Sequence, residues 1–151
     1  MKHIPFAMAL FVLLSAHKCN EKTATATGGG TPVQTAQKVV SILDTKWRLT
    51  TVKGGKVSVP EVSEMPWVML LKEGDKMEGF GGCNSLFGDY AVDGDRIKFS
   101  NLGSTKKFCE ATQATETAFM AVLRGSSQFQ LEGDLMKLMT DGTEVATLTK
   151  Q

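Results

Sequence analysis

The chain has 151 residues, 42% of them hydrophobic and 22% charged, which suits one folded domain and excludes a compositionally disordered chain. Its 17 basic and 16 acidic side chains nearly cancel, and they are dispersed, so charge-driven binding of nucleic acid is not expected. The two histidines, His3 and His17, both lie in the first seventeen residues. If that stretch is removed, the mature protein has no Ser-His-Asp triad, no Cys-His dyad and no His-ligated metal.

Lys2 and His3 precede Ile4 to Ala16, thirteen residues without a charge. A membrane-spanning helix needs about 18–20 apolar residues. The shorter run fits the hydrophobic region of a secretory signal. Cys19 follows it, with Asn20-Glu21-Lys22 behind. This arrangement resembles a bacterial lipoprotein signal, in which the cysteine becomes the lipidated first residue. Lys18, directly before the cysteine, departs from the usual lipobox. Ala24-Thr25-Ala26 offers an alternative cut by ordinary signal peptidase. Both routes predict export to the periplasm or outer membrane. Residues 1–18 are therefore expected to be a signal peptide, with Cys19 as a lipid anchor to the membrane. Its removal takes away Lys2 and Lys18 and leaves 15 basic against 16 acidic side chains.

Residues 19–41 are rich in Thr, Ala and Gly and are read as a flexible linker. Gly28-Gly29-Gly30 is not a phosphate loop, because no Gly-Lys-Ser/Thr follows it. The domain is expected over residues 42–151. Trp47 to Val52 alternates as a strand does. Trp67 to Leu71 is a continuous apolar run, the pattern of a strand buried on both faces. Lys76 to Phe80 is a weaker strand, with Met77 and Phe80 its large apolar residues. Asp89 to Val92 and Arg96 to Phe99 flank Asp93-Gly94, the strongest hairpin signal in the chain.

Ala111 to Leu123 holds no Gly or Pro, and Ala111, Ala114, Ala118 and Val122 step by three or four. With Phe119 and Leu123 this is an amphipathic helix whose stripe faces the core, stopping near Gly125. Three strands follow, at Gln128 to Leu131, Leu135 to Met139 and Glu144 to Leu148. Gly133 and Asp141-Gly142 mark the turns between them. The order predicts an α+β fold: a small, mostly antiparallel, barrel-like sheet packed on a single main helix.

Gly79-Phe80-Gly81-Gly82-Cys83-Asn84 is unusual between strands. Glycines permit positive φ or close backbone approach, and Asn84 is suited to fixing a turn through local backbone bonds. A dinucleotide fingerprint is excluded, since the third glycine is missing and no helix follows. This segment resembles the signature of the META domain family, the HslJ-like envelope proteins. Trp47-Arg48-Leu49 matches the family's early Trp-x-Leu. Gly79, Gly82, Cys83 and Asn84 match its core, and Gly88-Asp89-Tyr90 its Gly-x-Tyr. Thr105 and Cys109 match the Thr-x-x-x-Cys segment, where Lys107-Phe108 replaces a frequent methionine. Glu116, Phe119 and Leu123 match the helix. The resemblance spans Trp47 to Leu148. It implies a barrel-like sheet on a helix, an envelope location, often as a lipoprotein, and links to heat stress and stress tolerance. It implies no enzymatic activity.

Chemistry in the residues themselves is sparse. In an oxidising compartment Cys83 and Cys109 are either a disulfide or two buried thiols. Closing their loop of 26 positions contributes about 3–4 kcal/mol in a chain-entropy model. Asp89, Asp93 and Asp95 are assigned to a solvated hairpin turn. They lack the spacing of a calcium loop, and no metal or cofactor is expected. Trp47 and Trp67 are expected as core anchors. Met65, Met69, Met77, Met120, Met136 and Met139 are expected to fill gaps in a small core. Two functional expectations lead, ahead of a hydrolase, which would need two polar catalytic groups converging in a cleft. One is a non-enzymatic domain that binds an envelope protein. The other is a carrier of a small apolar ligand, a lipid or acyl chain, inside the barrel. An apolar cavity favours the carrier, and a core filled by Phe119, Val122 and Leu123 favours the binding domain.

Overall fold

The computed structural model describes residues 42–61 and 63–151. The expected signal peptide, Cys19 and the linker lie outside the described residues. In chain order the elements are β1 (Trp47–Val52), β2 (Gly55–Lys56), β3 (Trp67–Leu70), β4 (Lys76–Phe80), β5 (Ser85–Asp93) and β6 (Arg96–Ser104). Then come α1 (Gln113–Gly125), β7 (Gln128–Glu132), β8 (Leu135–Thr140) and β9 (Thr143–Lys150). Among the described residues all nine strands belong to one sheet, with spatial order β2-β1-β3-β4-β5-β6-β7-β8-β9. β1 also pairs with β9, from Trp47↔Lys150 to Val52↔Ala146, so the sheet curls round almost into a barrel.

The turns follow from their residues. Lys53-Gly54 and Asp141-Gly142 both carry two positive φ angles, as a tight hairpin requires when both central residues are left-handed. At the expected hairpin Asp93 pairs with Arg96, so the loop residues are Gly94 and Asp95, one position later than Asp93-Gly94. Only Gly94 takes positive φ there.

The seam is thinnest between β6 and β7, which share one pair, Arg96↔Gln128. The chain between those strands forms α1, which packs on β6 and β1. Phe119 and Leu123 of the helix are fully buried and Val122 nearly so. They meet Trp47, Leu49, Val68, Leu70, Phe129, Leu138 and Leu148 from the strands in one cluster. Each such side chain contributes about 1.5–3 kcal/mol by leaving water. The Trp47 indole is held by a 3.1 Å bond to the Ile42 carbonyl. The fold is thus the antiparallel, barrel-like sheet on one helix that the pattern predicts, and it is mostly β.

Five local expectations need correction. β3 is not buried on both faces: Val68 and Leu70 point inward, while Trp67 and Met69 are half-exposed outside. Trp67 is therefore not a core anchor, and Lys46 lies over its ring at 4.4 Å. The helix stripe is rotated. Ala111 and Ala114 are exposed and Ala118 is half-buried, while Glu116 and Met120 are buried. Of the methionines, Met77, Met120 and Met136 are in the core, whereas Met65, Met69 and Met139 are half-buried. Asp89 is not at the hairpin turn but in mid β5, cross-strand from Lys76. Among the described residues no helix is long and apolar enough to cross a membrane.

Candidate functional site

The glycine-rich segment exists because three chains converge there. A Cβ on Gly79 would sit 2.5 Å from the Trp67 carbonyl oxygen of the neighbouring strand. A Cβ on Gly81 would sit 2.5 Å from Glu116 Cγ, so only glycine admits the helix side chain. Gly82 then takes φ +106°, a conformation that L side chains rarely adopt, and the turn delivers Cys83 and Asn84 inward.

Asn84 is 3% exposed, and its whole hydrogen-bonding capacity is used. Its Oδ1 accepts from the Lys107 amide at 2.7 Å and from Thr105 Oγ1 at 2.8 Å. Its Nδ2 donates to the Lys107 carbonyl at 3.0 Å and to Glu116 Oε1 at 2.9 Å. Its backbone amide donates to Glu116 Oε2, also at 2.9 Å. The side-chain partners are 21 to 32 residues away, so the Asn84 side chain does not bond to local backbone as expected from sequence, and the local turn is closed instead by its carbonyl, which accepts from the Gly81 amide at 2.8 Å. Asn84 ties three distant segments together.

Glu116 is 6% exposed and sits in the first turn of α1. Two features make its burial tolerable. Both carboxylate oxygens accept hydrogen bonds, and the helix N-terminus favours negative charge. Cys109 completes the arrangement. It is joined to Cys83 in a disulfide with a Cα–Cα distance of 6.0 Å. Its carbonyl accepts from the amides of Thr112 and Gln113, where the helix begins. Of the two states left open for the cysteines, the structure has the disulfide.

The result is a latch. Cys83 and Asn84 hold the segment Thr105 to Cys109 on one side and the first turn of α1 on the other. Between those fixed points the chain turns outward. Lys106 and Lys107 are exposed, and Phe108 is 81% exposed. Lys107 is pinned through its backbone while its side chain faces water.

Gly82, Cys83, Asn84, Thr105, Cys109 and Glu116, all singled out in the sequence, come together here. The others do not. Trp47, Leu49, Phe119 and Leu123 are core residues. Gly79 lies in β4, where it allows close strand approach. Gly88 in β5 lies opposite a bulge of β6, at Asn101-Leu102. The buried Tyr90 donates its hydroxyl to the Leu71 carbonyl at 2.8 Å, and burial pushes its pKa up. The steric role of Gly81 and the exposure of Phe108 were not read from the sequence. The Gly-Gly-Cys run was the available signal for the first.

Residues 40–151, a span that includes every described residue, match the family model described as the META domain. The chain belongs to the META domain family. Two solved structures resemble it. One is an NMR structure of a protein from Burkholderia xenovorans, at 23% identity and TM-score 0.59, covering 90% of this chain and 99% of that one. The other is an NMR structure of a second protein, at 16% identity and TM-score 0.58, covering 73% of this chain and 92% of that one. At those identities the likeness concerns the fold of the META domain. No curated protein matches the chain.

Proposed function

We propose that this META domain is a non-enzymatic binding module of the bacterial cell envelope, exported and tethered to the membrane by a lipid on Cys19. It acts in stress tolerance by docking a protein partner on the Lys106-Lys107-Phe108 loop. The observation that carries this reading is the pairing of an exposed phenylalanine with a rigid mount. Phe108 is 81% exposed, while its neighbours are held by the Cys83–Cys109 disulfide and by Asn84. A loop already ordered before binding loses little entropy when it docks. Exposed aromatic residues of this kind are common anchors of protein interfaces.

Two further features support it. The barrel interior is occupied by side chains, including Phe119, Val122 and Leu123, which favours a binding module over a carrier of an apolar ligand. Glu116 and Asn84 are buried and hydrogen-bonded to each other within the latch, which keeps both side chains away from solvent. The disulfide fits an oxidising compartment.

Mass spectrometry of the mature chain tests the tether. A diacyl or triacyl adduct on Cys19 is expected, and a chain beginning at Thr27 contradicts it. Native mass spectrometry after gentle extraction tests the mode of action. A protein partner lost on Phe108→Asp is expected, and a lipid retained in the barrel points instead to a carrier.

A further inference from the structure

The outer face of the sheet carries a second feature, separate from the latch. A depression of about 540 Å³ lies over β4, β5 and β6, lined by Lys76, Glu78, Phe87, Asp89 and Asn101 among others. Its shape comes from a bulge. Phe87 pairs with Gly103 and Asp89 with Ser100, so the single residue Gly88 faces both Asn101 and Leu102. A Cβ on Gly88 would sit 2.8 Å from Leu102 Cδ2 and 2.9 Å from the Ser100 carbonyl, so the bulge requires glycine. Asn101 takes the left-handed φ of 50° there. Bulges commonly re-aim a side chain in this way.

The re-aimed Asn101 donates from Nδ2 to Asp89 Oδ2 at 2.5 Å. Lys76 Nζ donates to Asp89 Oδ1 at 2.6 Å. The carboxylate is thereby fixed in orientation from both ends and held ionised. Lys76 uses one of its three N–H donors on this bond. Beside this polar row, the Phe87 ring covers Gly103, where a Cβ would lie 2.5 Å from ring Cε2. Phe87 remains 53% exposed.

We propose that this depression binds a neutral saccharide, which stacks one ring face on Phe87 and turns its hydroxyls to Asp89, Asn101 and Lys76. A pyranose has an apolar face of C–H groups and a rim of hydroxyls that both donate and accept. The depression offers an aromatic surface beside a fixed carboxylate, an amide and an ammonium group. The charges of Lys76 and Asp89 cancel each other, and Glu78 stands next to them, so an anionic ligand is disfavoured. A purely apolar ligand would cover the remaining donors and acceptors of the polar row without offering them partners. Neutral sugar matches both halves of the surface.

The test is an NMR titration of the ¹⁵N-labelled mature protein with cellotetraose, chitotetraose and maltotetraose. At least one is expected to shift the amides of β4, β5 and β6 around Phe87, with a dissociation constant of about 1 mM. Phe87→Leu keeps Gly103 covered but removes the ring, and it should weaken binding about tenfold, as should Asn101→Ala. Asp89→Asn provides a third variant if one of these fails to fold, checked by its unperturbed strand amides. Absence of shifts with all three sugars overturns the proposal. So does binding that all folded variants retain, shifts confined to another face, or tighter binding of an anionic sugar such as tetragalacturonate.

Discussion

Replacing Glu116 by alanine probes the latch directly. The carboxylate accepts two hydrogen bonds at 2.9 Å, one from the Asn84 amide and one from Asn84 Nδ2. Bonds to a charged group contribute about 1.5–3 kcal/mol each. They share both residues, so their sum overstates the loss. Removing the carboxylate also relieves its own desolvation. The net expectation for Glu116→Ala is a destabilisation of about 3 kcal/mol, with both Asn84 donors left buried and without their acceptors. Glu116→Gln keeps one good acceptor and sets an N–H against the other donor, so about half that loss is expected. Urea unfolding is the assay. The midpoint should fall while the slope stays constant, because the surface exposed on unfolding is unchanged. In a domain of this size about 3 kcal/mol corresponds to a melting shift of roughly 12 °C. Glu110→Ala, at an exposed acid six residues earlier, is the control and should stay within about 0.5 kcal/mol of the parent. If Glu116→Ala also stays within about 0.5 kcal/mol, the two bonds do not stabilise the fold and the latch reasoning fails.

Reducing the Cys83–Cys109 disulfide should cost about 3–4 kcal/mol in the same urea assay, because it releases a loop of 26 positions; an unchanged midpoint under reductant contradicts this. Gly79→Ala should be strongly destabilising, since its Cβ meets the backbone oxygen of Trp67 at 2.5 Å. Gly133→Ala, with open space at its Cβ, should show only the smaller cost of its left-handed φ of 59°. Asp89 is held below its ordinary pKa first by the hydrogen bond from Lys76, then by that from Asn101. A depressed folded-state pKa contributes stability above the unfolded value and loses it as pH falls through the folded one. The urea midpoint should therefore drop as pH falls below about 4, and Asp89→Asn should shrink that drop. Equal drops in both proteins refute the assignment.

The strands were legible because their signals are local. Trp47 to Val52 alternates, and β7, β8 and β9 are separated by Gly133 and Asp141-Gly142, whose turns need positive φ. Even so, a continuous apolar run misled. Trp67 and Met69 are as apolar as Val68 and Leu70, but they face outward, and nothing in the run itself marks which alternate positions do so. The helix misled for a deeper reason. Alanines at helical spacing form a stripe, yet alanine is neutral enough to sit on the exposed side. Glu116 reads as polar and is buried. Its burial depends on Asn84, 32 residues away, and no periodicity within the helix reveals such a partner. The resemblance to the META family marks Asn84, Glu116 and both cysteines, and the fold brings them together in the latch. Asn101 was not singled out, because its position depends on a bulge set by pairing between β5 and β6.

Photo-crosslinking in living cells tests the proposed docking loop most directly. A photoreactive amino acid is placed at Phe108, and at Gln130, an exposed position on β7, as the control. The expected result is a discrete protein adduct at position 108, absent at position 130 and diminished in a folded Glu116→Gln variant whose latch is loosened. No adduct at 108, or the same adducts at both positions, contradicts a partner docked on that loop.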